Sequence, residues 1–392
     1  MKIKFAVNPS KLLAMVLIFG SCLAPGASGA AGQAVTIRYV SPGGGDSGNC
    51  AIPSQPCRTI QFAVDQAVSG DEVRLAGGEY TTQDAPIADI RVGLTLRGGY
   101  ALTNWETADK IAHPTILKVS APCEGVAAIV AGALERVSIQ DLDIVGCGIG
   151  STGDLLVERV SIQNGSIFHG AGANIPVALS EVTIQGGGFT HASGRNSLAT
   201  LTHITISNSP GDGIRDVSAG GMALSDAQIV NCAGNGIVFA NSAASSVTRA
   251  RIVGNQVGID TRSGGILTLD QVMVEDNRGR GVIDKSGGIV MKQVTIQGNH
   301  AVRDEANDDN GDGGGFYTSG LGSTLTDVVI RENTAEGDGG GIYDTSGGIT
   351  LTRGTLAGNW AGGVGGGAWS VSRPVFIDSA VTANQAAAGG GV

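Results

Sequence analysis

The chain has 392 residues, of which 64 are glycine, 4% are aromatic and 15% are charged. The glycines follow no Gly-X-Y period, which excludes a collagen, and a hydrophobic content of 42% excludes a disordered chain. The formal net charge of −10 argues against nucleic acid or an anionic membrane as the main partner. It also repels polyanionic sugars unless a cation or a basic groove intervenes.

Residues 1–31 have the pattern of an export signal: early lysines, the apolar run 12–24, then small residues, with cleavage expected near Ala30 or Ala31. Cys22 allows a lipoprotein interpretation as the alternative. No later stretch approaches the roughly 18 apolar residues that a membrane span needs. The sequence therefore predicts a secreted or cell-surface protein without a transmembrane span.

Residues 35–110 are expected to form an N-terminal cap and the first coils of a repeat array. TIQFAVDQAV (59–68) places apolar residues along one helical face and predicts a short capping helix. EVRLAGGEY (72–80) predicts a first strand.

Five cysteines follow the signal segment. Cys50 and Cys57, seven positions apart, are expected to close a small loop in an oxidising compartment. Cys123 and Cys147 are candidates for a second pair, which leaves Cys232 as a small buried thiol.

One pattern recurs through residues 111–392: an apolar residue, two variable residues, an apolar, one variable, an apolar, then a polar or glycine turn. The copies include VERVSIQN (157–164), LTHITISN (201–208) and MKQVTIQGN (291–299), and the turn residues lie most often 22 positions apart. Alternation at every second residue is typical of strands. The pattern predicts an all-β chain folded as a single-stranded parallel β-helix of about 12 coils of about 22 residues, with one shared interior. The sequence stops part-way through a coil, so we expect either a fragment or an end covered by a partner.

An asparagine recurs just after the strand in six successive coils. At such a corner, asparagine tolerates unusual backbone angles, and its amide can hydrogen-bond the copies above and below. The sequence therefore predicts a structural asparagine ladder formed by Asn255, Asn277, Asn299, Asn333, Asn359 and Asn384.

The most polar segment is HAVRDEANDDNGDGGGFY (300–317). Its end, GDGGGFY (311–317), matches GDGGGIY (337–343) at all but one position, so the inserted material is RDEANDDN (303–310). Compared with the coil that follows, this insert is a polar bulge on a regular scaffold. A bulge of this kind is most often a solvated loop, which is the simpler interpretation.

Two functional interpretations of the insert remain open. Asp308, Asn310 and Asp312 have the spacing of the first ligands of a calcium-binding loop, and Asp304 could add another, although the anchoring glutamate is missing. A lyase would add a base to the metal. The candidate bases by proximity are Arg303 and Arg331, with Arg278 and Arg280 one coil earlier. Arginine rarely loses its proton, so such a base would need a strongly perturbed environment.

Two other residue types are sparse. The five histidines share no metal-ligand spacing, and we expect them at surface or turn positions. Core packing or capping is the expected role of Trp105, Trp360 and Trp369, and stacking on sugar rings is the alternative for any that is exposed.

Two long stretches carry a family resemblance. YVSPGGGDSGNCAIPSQPCRTIQFAVDQAVSGDEVRLAGGEYTT and LTLRGGYALTNWETADKIAHPTIL resemble the opening of bacterial exported right-handed parallel β-helix proteins of the pectate-lyase-like superfamily. The later coils, such as VIRENTAEGDGGGIYDTSGGITLTRGTLAGNWAGG, are similar to polymorphic outer-membrane-protein and surface-anchored repeats. The resemblance implies that the parallel β-helix is right-handed and that the protein is exported.

The superfamily also contains enzymes that act on uronate polymers. The signatures typical of polygalacturonases, alginate epimerases and pectate lyases are absent from the sequence, so the resemblance assigns no catalytic residue. The favoured hypothesis is a non-catalytic surface protein that binds glycan or another macromolecule, or that acts as an adhesin-like scaffold. The alternative is a lyase or epimerase acting on uronate polymers, with or without the help of calcium.

Overall fold

Parallel strands, each paired with the strand one coil before and one coil after it, build the molecule. The structure is a computed structural model that describes residues 35–123, 125–240, 243–304, 306, 309–345 and 347–391. The predicted signal peptide and Cys22 lie outside the described residues. Within them the chain forms a right-handed parallel β-helix of about 13 turns, which confirms the predicted fold class.

The largest sheet has 24 strands and contains two rows of strands, joined in the middle coils into continuous nine-residue strands. Its first row, including the joined strands, consists of Ile37–Val40, Glu72–Ala76, Thr95–Ala101, Val137–Gln140, Leu155–Glu158, Val177–Gln185, Ala199–Ser207, Met222–Val230, Ser245–Val253, Leu267–Asp270, Ile289–Lys292, Ser323–Thr326, Ile349–Thr352 and Val375–Ile377. The second row adds Gly78–Thr82, Thr115–Val119, Asp143–Val145, Ser161–Gln163, Met273–Glu275, Thr295–Gln297, Val329–Arg331, Thr355–Ala357 and Ala380–Thr382, and Asn104–Ala108 forms an antiparallel hairpin with the first row.

Two further sheets complete the coils, one along most of the molecule and the other in its C-terminal coils alone. A 12-stranded sheet, here called sheet B, consists of Ala88–Ile90, Ile129–Ala131, Ile149–Ser151, Ile167–His169, Phe189–His191, Ile214–Asp216, Ile237–Phe239, Ile259–Thr261, Val282–Asp284, Phe316–Thr318, Ile342–Asp344 and Ala368–Ser370. A four-stranded sheet, here called the corner sheet, is found in the C-terminal coils and consists of His300–Ala301, Thr334–Ala335, Trp360–Val364 and Gln385–Ala388.

Inward side chains of the rows share one hydrophobic core. In the strand Ala199–Ser207, for example, Leu201, Ile204 and Ile206 are buried while the intervening side chains point outward. Such positions line up from coil to coil, and the resulting cluster runs continuously from Val40 to Ala368. No coil could bury these side chains alone, because each strand covers only the coils next to it.

Each regular coil turns at a left-handed corner between the two rows. The corner residues have φ between 48° and 56° and are Asp141, Arg159, Glu181, His203, Asp226, Arg249, Gln271, Gln293, Asp327, Arg353 and Asp378. Opposite charges at neighbouring corners form ion pairs: Asp141–Arg159 at 2.6 Å, Asp226–Arg249 at 2.7 Å and Asp327–Arg353 at 2.8 Å. These pairs connect consecutive coils on the outside of the core.

The six recurring asparagines lie in one row at a second corner. Asn277, for example, donates from Nδ2 to Asn299 Oδ1 (2.8 Å), and its own Oδ1 accepts from Asn255 Nδ2 (3.2 Å) and from the Asn255 backbone N–H (2.9 Å). The same contacts continue to Asn384. The row begins at Cys232, whose backbone N–H donates to Asn255 Oδ1 (2.9 Å).

One helix, Ile60–Asp65, lies near the N-terminal end. Its N-cap residue Thr59 accepts from the Phe62 N–H (3.3 Å), and Ile60, Ala63 and Val64 join the core. The helix is shorter than the predicted span of 59–68, because Asp71 accepts a hydrogen bond from the backbone N–H of Val68 (3.0 Å) and draws the chain into a turn. This six-residue helix is too short to cross a bilayer. Among the described residues, no helix is both long enough and apolar enough to do so.

Both predicted disulfides, Cys50–Cys57 and Cys123–Cys147, are present, and Cys232 is a buried free thiol. The expectation for the histidines is wrong at two positions. His169 and His191 are completely buried, because each is an inward residue of a sheet B strand.

Candidate functional site

The outer face of the corner sheet combines an exposed indole with hydrogen-bonding side chains. In register along this sheet lie His300, Thr334, Trp360 and Gln385, one from each of four consecutive coils. The Trp360 side chain remains 44% exposed, which is unusual for the largest apolar side chain. The fold therefore presents a tryptophan in a row of polar neighbours.

The indole of Trp360 lies beside a glycine of its own strand. Gly362 follows Trp360 by two positions, on the same side of the strand. A Cβ placed there would lie 2.4 Å from the Glu336 carbonyl oxygen of the preceding coil and 3.4 Å from Trp360 Cη2, so the close approach of that coil requires the glycine and the indole lies beside it. The indole thus extends along its own strand over Gly362. The position one coil earlier is occupied by Glu336, whose Oε2 accepts from the backbone N–H of Arg303 (2.8 Å). Through that bond the start of the polar insert is fixed beside the corner sheet.

Arg280 holds the other end of the insert. Its guanidinium donates to both carboxylate oxygens of Asp309, with Nη1 to Oδ2 at 2.6 Å, and its Nε donates to the Asp312 carbonyl. The hydrogen bonds from Arg280 hold the pKa of the Asp309 carboxyl below its ordinary value. Asp304 and Asp309 also exchange backbone hydrogen bonds (2.8 and 2.9 Å). The insert is therefore tied to the coil before it, a contact that its own sequence does not reveal.

Asp312 has a structural contact. Its Oδ1 accepts from the backbone N–H of Asp338 (2.7 Å), one coil further on, and Asp338 repeats the contact with the N–H of Val364 (2.8 Å). Burial raises the pKa of the Asp312 carboxyl. A Cβ at Gly337 would lie 2.1 Å from Asp312 Oδ1, so the carboxylate needs a glycine below it. This requirement explains why the GDGGG motif repeats.

The predicted calcium site stays a prediction. Of its candidate ligands, Asp308 lies outside the described residues. The Asp304 carboxylate accepts from the backbone N–H of Ala306 (3.1 Å), and the Asp312 carboxylate accepts from that of Asp338. Asn310 lies between Asp309 and the glycine-rich turn. Within the described part of the chain no group of three or more His, Cys, Asp or Glu side chains is placed to hold a metal ion. A rise in melting temperature with calcium that Asp304→Ala abolishes would establish the site, and an unchanged melting temperature would remove it.

The two arginines considered as bases, Arg303 and Arg331, lie in different parts of the coil. Arg331 is an outward residue of the second row, and its Nη1 pairs with Glu332 Oε1 at 3.2 Å. Arg303 is exposed, and its backbone is bound to Glu336.

A column of stacked rings lies on the outer face of sheet B in the same coils. Tyr317 stacks on Tyr343 with ring centroids 5.4 Å apart, and Tyr343 stacks on Trp369 at 4.6 Å. Arg280 lies over the other face of Tyr317 at 5.1 Å. Burial, and then the nearby Asp312 carboxylate, raise the pKa of Tyr343 to about 12. Because neighbouring rings cover the faces of both tyrosines, this column stabilises the stack of coils, whereas Trp360 offers an open ring face.

Trp105 has the packing role that the sequence predicts for the tryptophans. It is buried in a small cluster outside the main core, against Tyr39 and Tyr100. Sequence reasoning found Trp360, Arg303 and Arg280 but missed Glu336 and the glycine beside the indole. The signal available for the last of these is an aromatic residue followed two positions later by glycine.

Comparison with known proteins agrees with this architecture. Residues 145–301 match the family model described as "Right handed beta helix region". No curated protein sequence matches the chain. Among solved structures, the A-module of Azotobacter vinelandii mannuronan C-5 epimerase AlgE6 is similar with a TM-score of 0.51 at 14% identity, covering 84% of this chain and 94% of that one. A rhamnogalacturonan lyase is similar with a TM-score of 0.45 at 11% identity, covering 75% of this chain and 82% of that one.

At such identities the likeness to solved structures concerns the fold, because unrelated activities share it. The match over the central coils and the rows of parallel strands nevertheless agree on the same architecture. Together they identify the chain as a right-handed parallel β-helix protein.

Proposed function

We propose that the protein is an exported, non-catalytic β-helix protein that binds glycan through the outer face of its corner sheet, as a surface scaffold. The observation that supports this most directly is the exposed Trp360 indole, seated over Gly362 between Thr334 and Gln385. The C–H groups of a sugar ring pack against an aromatic face, and neighbouring hydroxyl and amide groups bond the sugar hydroxyls. A flat row with a 4.8 Å repeat suits an extended chain better than a compact ligand.

The carboxylates of this region favour binding over catalysis. Asp309 is engaged by Arg280, and Asp312 and Asp338 each accept a backbone N–H of the next coil, so these groups have roles in holding the coils together. A general base must lie within hydrogen-bond reach of the proton that it removes and must be able to give up its own. Arginine rarely gives up its proton, so a surface role explains Arg303 and Arg331 better than a role as general base.

The test is binding of wild type and Trp360→Ala to a panel of polysaccharides by affinity electrophoresis and calorimetry. We expect at least one polysaccharide to bind wild type, and Trp360→Ala to weaken that binding about tenfold or more, as for a central aromatic contact. Leu321→Ala removes an exposed apolar side chain elsewhere on the surface (68% exposed) and should leave binding unchanged. Equal binding by Trp360→Ala and wild type would refute the proposal. Release of unsaturated uronate from any polyuronide would replace it with the lyase alternative.

A further inference from the structure

A second surface, far from the corner sheet in sequence, has the shape of a binding site. It is a groove of about 570 Å³ on the outer side of sheet B, which we call the glycine groove, and this volume lies within the range of small-ligand pockets. Its floor contains the outward residues of three paired strands, Val130, Gly150 and Phe168. One wall is the loop that contains Val126 and Ala127.

The groove exists because a side chain is missing from its floor. A Cβ built at Gly150 would have one neighbour within 4 Å, Ala127 Cβ at 3.4 Å, so the space above the strand is open. The wall is held in place by the disulfide Cys123–Cys147, which ties the loop to the next coil. The groove is therefore a fixed feature of the coil stack, preformed before any ligand arrives.

An exposed aromatic ring stands in the groove. Phe168 is 49% exposed and points outward from its strand. A Cβ at Gly170, two positions later, would lie 2.6 Å from Phe168 Cε1, so the ring rests against that glycine. Packing thus fixes the orientation of the phenyl ring, which lowers the entropy cost of using it in binding.

Neutral hydrogen-bonding groups surround the ring. Thr152, Asn164 and Ser166 are exposed groove residues. The Thr152 hydroxyl and the Asn164 amide make no hydrogen bond with the described residues, and Ser166 Oγ, which accepts from the Gly188 N–H (3.1 Å), can still donate. A hydroxyl, an amide and a second hydroxyl beside an aromatic ring match the alternating apolar and hydroxyl-bearing surfaces of a sugar.

The lining carries no charge in its described part. The described residues there include no Asp, Glu, Lys, Arg or His. Glu124, between the lining residues Cys123 and Gly125, lies outside the described residues, and its charge, like the net charge, disfavours an anionic ligand. A uronate carboxylate held here would lose water without gaining a cationic partner, which is unfavourable, and the net charge of −10 would oppose its approach. The groove therefore suits an uncharged ligand.

We propose that the glycine groove binds a short segment of neutral glycan, with Phe168 stacked on a sugar ring and Thr152, Asn164 and Ser166 bonded to its hydroxyls. This site is separate from the corner sheet and does not require that Trp360 binds anything. It assigns the sheet B side of the N-terminal coils to uncharged sugars, in contrast to a uronate polymer.

The experiment measures binding of neutral oligosaccharides (gluco-, manno-, galacto- and N-acetylglucosamine oligomers) and of oligogalacturonate and alginate oligomers of equal length, by calorimetry on the full chain. We expect at least one neutral oligomer to bind wild type, and Phe168→Ala and Gly150→Leu each to weaken that binding tenfold or more. Gly150→Leu fills the groove without changing the strand, and circular dichroism checks that both variants fold. Phe168→Tyr keeps the ring and should retain binding, and the exposed Leu134→Ala outside the groove should have no effect.

Different outcomes separate this proposal from the function proposed above. Loss of neutral-glycan binding in Trp360→Ala but not in Phe168→Ala or Gly150→Leu would overturn the groove and leave the corner sheet standing. Binding of uronate oligomers alone, or of no oligomer, would also overturn the groove proposal. Loss in the groove variants with full binding in Trp360→Ala would support it.

Discussion

Replacing Asn299 by alanine tests how much the asparagine ladder contributes to stability. The side chain is buried, donates from Nδ2 to Asn333 Oδ1, Val274 O and Gln297 O at 2.9–3.1 Å, and accepts from the N–H and Nδ2 of Asn277. Alanine removes all five bonds. It leaves the Asn277 N–H buried without an acceptor, which costs about 1–3 kcal/mol, and each other lost bond costs about 0.5–1.5 kcal/mol where nothing replaces it. We expect the free energy of unfolding to fall by about 3–5 kcal/mol, because relaxation of the coils recovers part of the sum.

The measurement has a global and a local part. Urea denaturation gives the free energy of unfolding, and hydrogen exchange reports the Asn277 amide, since a solenoid can unfold in parts. Asn384→Ala is the graded comparison: this half-buried side chain bonds the Asn359 N–H (2.9 Å) and Leu356 O, and nearby water can replace those bonds, so a loss near 1 kcal/mol is expected. A loss below about 1 kcal/mol for Asn299→Ala, with the Asn277 amide still protected, would refute the reasoning.

Three further substitutions test other contacts. Hydrogen bonds from Arg159 and Arg97 outweigh burial and lower the pKa of the Asp141 carboxyl, so its stabilisation is present above the unfolded pKa of about 3.9 and lost as the pH falls through the lower folded value; Asp141→Asn should reduce stability by about 1–2 kcal/mol at pH 7 and flatten this acid limb in pH-dependent denaturation. Burial lowers the pKa of His169 to about 4, so between pH 6.5 and 4 the unfolded chain binds a proton that the folded chain does not. As the pH falls through that window, the free energy of unfolding should therefore decrease by roughly 2–3 kcal/mol. His169→Gln should remove this pH dependence in thermal melts. A Cβ at Gly337 would meet the Asp312 carboxylate (2.1 Å) and the Asn310 carbonyl oxygen (2.5 Å), so Gly337→Ala should cost about 2–3 kcal/mol, far more than Gly211→Ala, where a Cβ meets nothing within 4 Å. Asp312→Ala relieves only the first of these contacts, so the double variant should be partly non-additive; full additivity would contradict the contact with Asp312.

The fold was predictable because each coil repeats the same physical requirement. Inward residues such as Leu201 and Ile206 recur once per coil, so their periodicity shows in the sequence before any coordinate is known. The disulfide Cys123–Cys147 follows the same rule, since a separation of 24 residues is about one coil and brings the two side chains together.

Features that occur in few coils, or that join different parts of neighbouring coils, were not predictable. The corner sheet is built partly from two-residue strands, which are too short to show alternation. The same holds for sheet B, whose three-residue strands gave no sign that His169 and His191 point inward. The pair between Arg280 and Asp309 joins a regular coil to an insert 29 positions later, outside the repeat period.

The two proposed binding surfaces share one local arrangement, an outward aromatic ring, and this explains why removing either ring should weaken binding at its own site without unfolding the chain. Phe168 and Trp360 are each followed two positions later by a glycine, Gly170 and Gly362, against which the ring lies. Inward positions must fill the core and corner positions must bond the next coil, so only outward positions are free to carry a ring for recognition. A glycine two positions later leaves room for the ring to lie along the strand, and the other face of the ring stays open to a ligand. Gly170→Ala should therefore weaken glycan binding in the groove several-fold while the core, and with it the unfolding transition, changes little, because a Cβ there would meet only the Phe168 ring. Gly362→Ala should also lower stability, because a Cβ there would lie 2.4 Å from the Glu336 carbonyl oxygen. A loss confined to stability in Gly170→Ala would show that this glycine serves the backbone and not the ring.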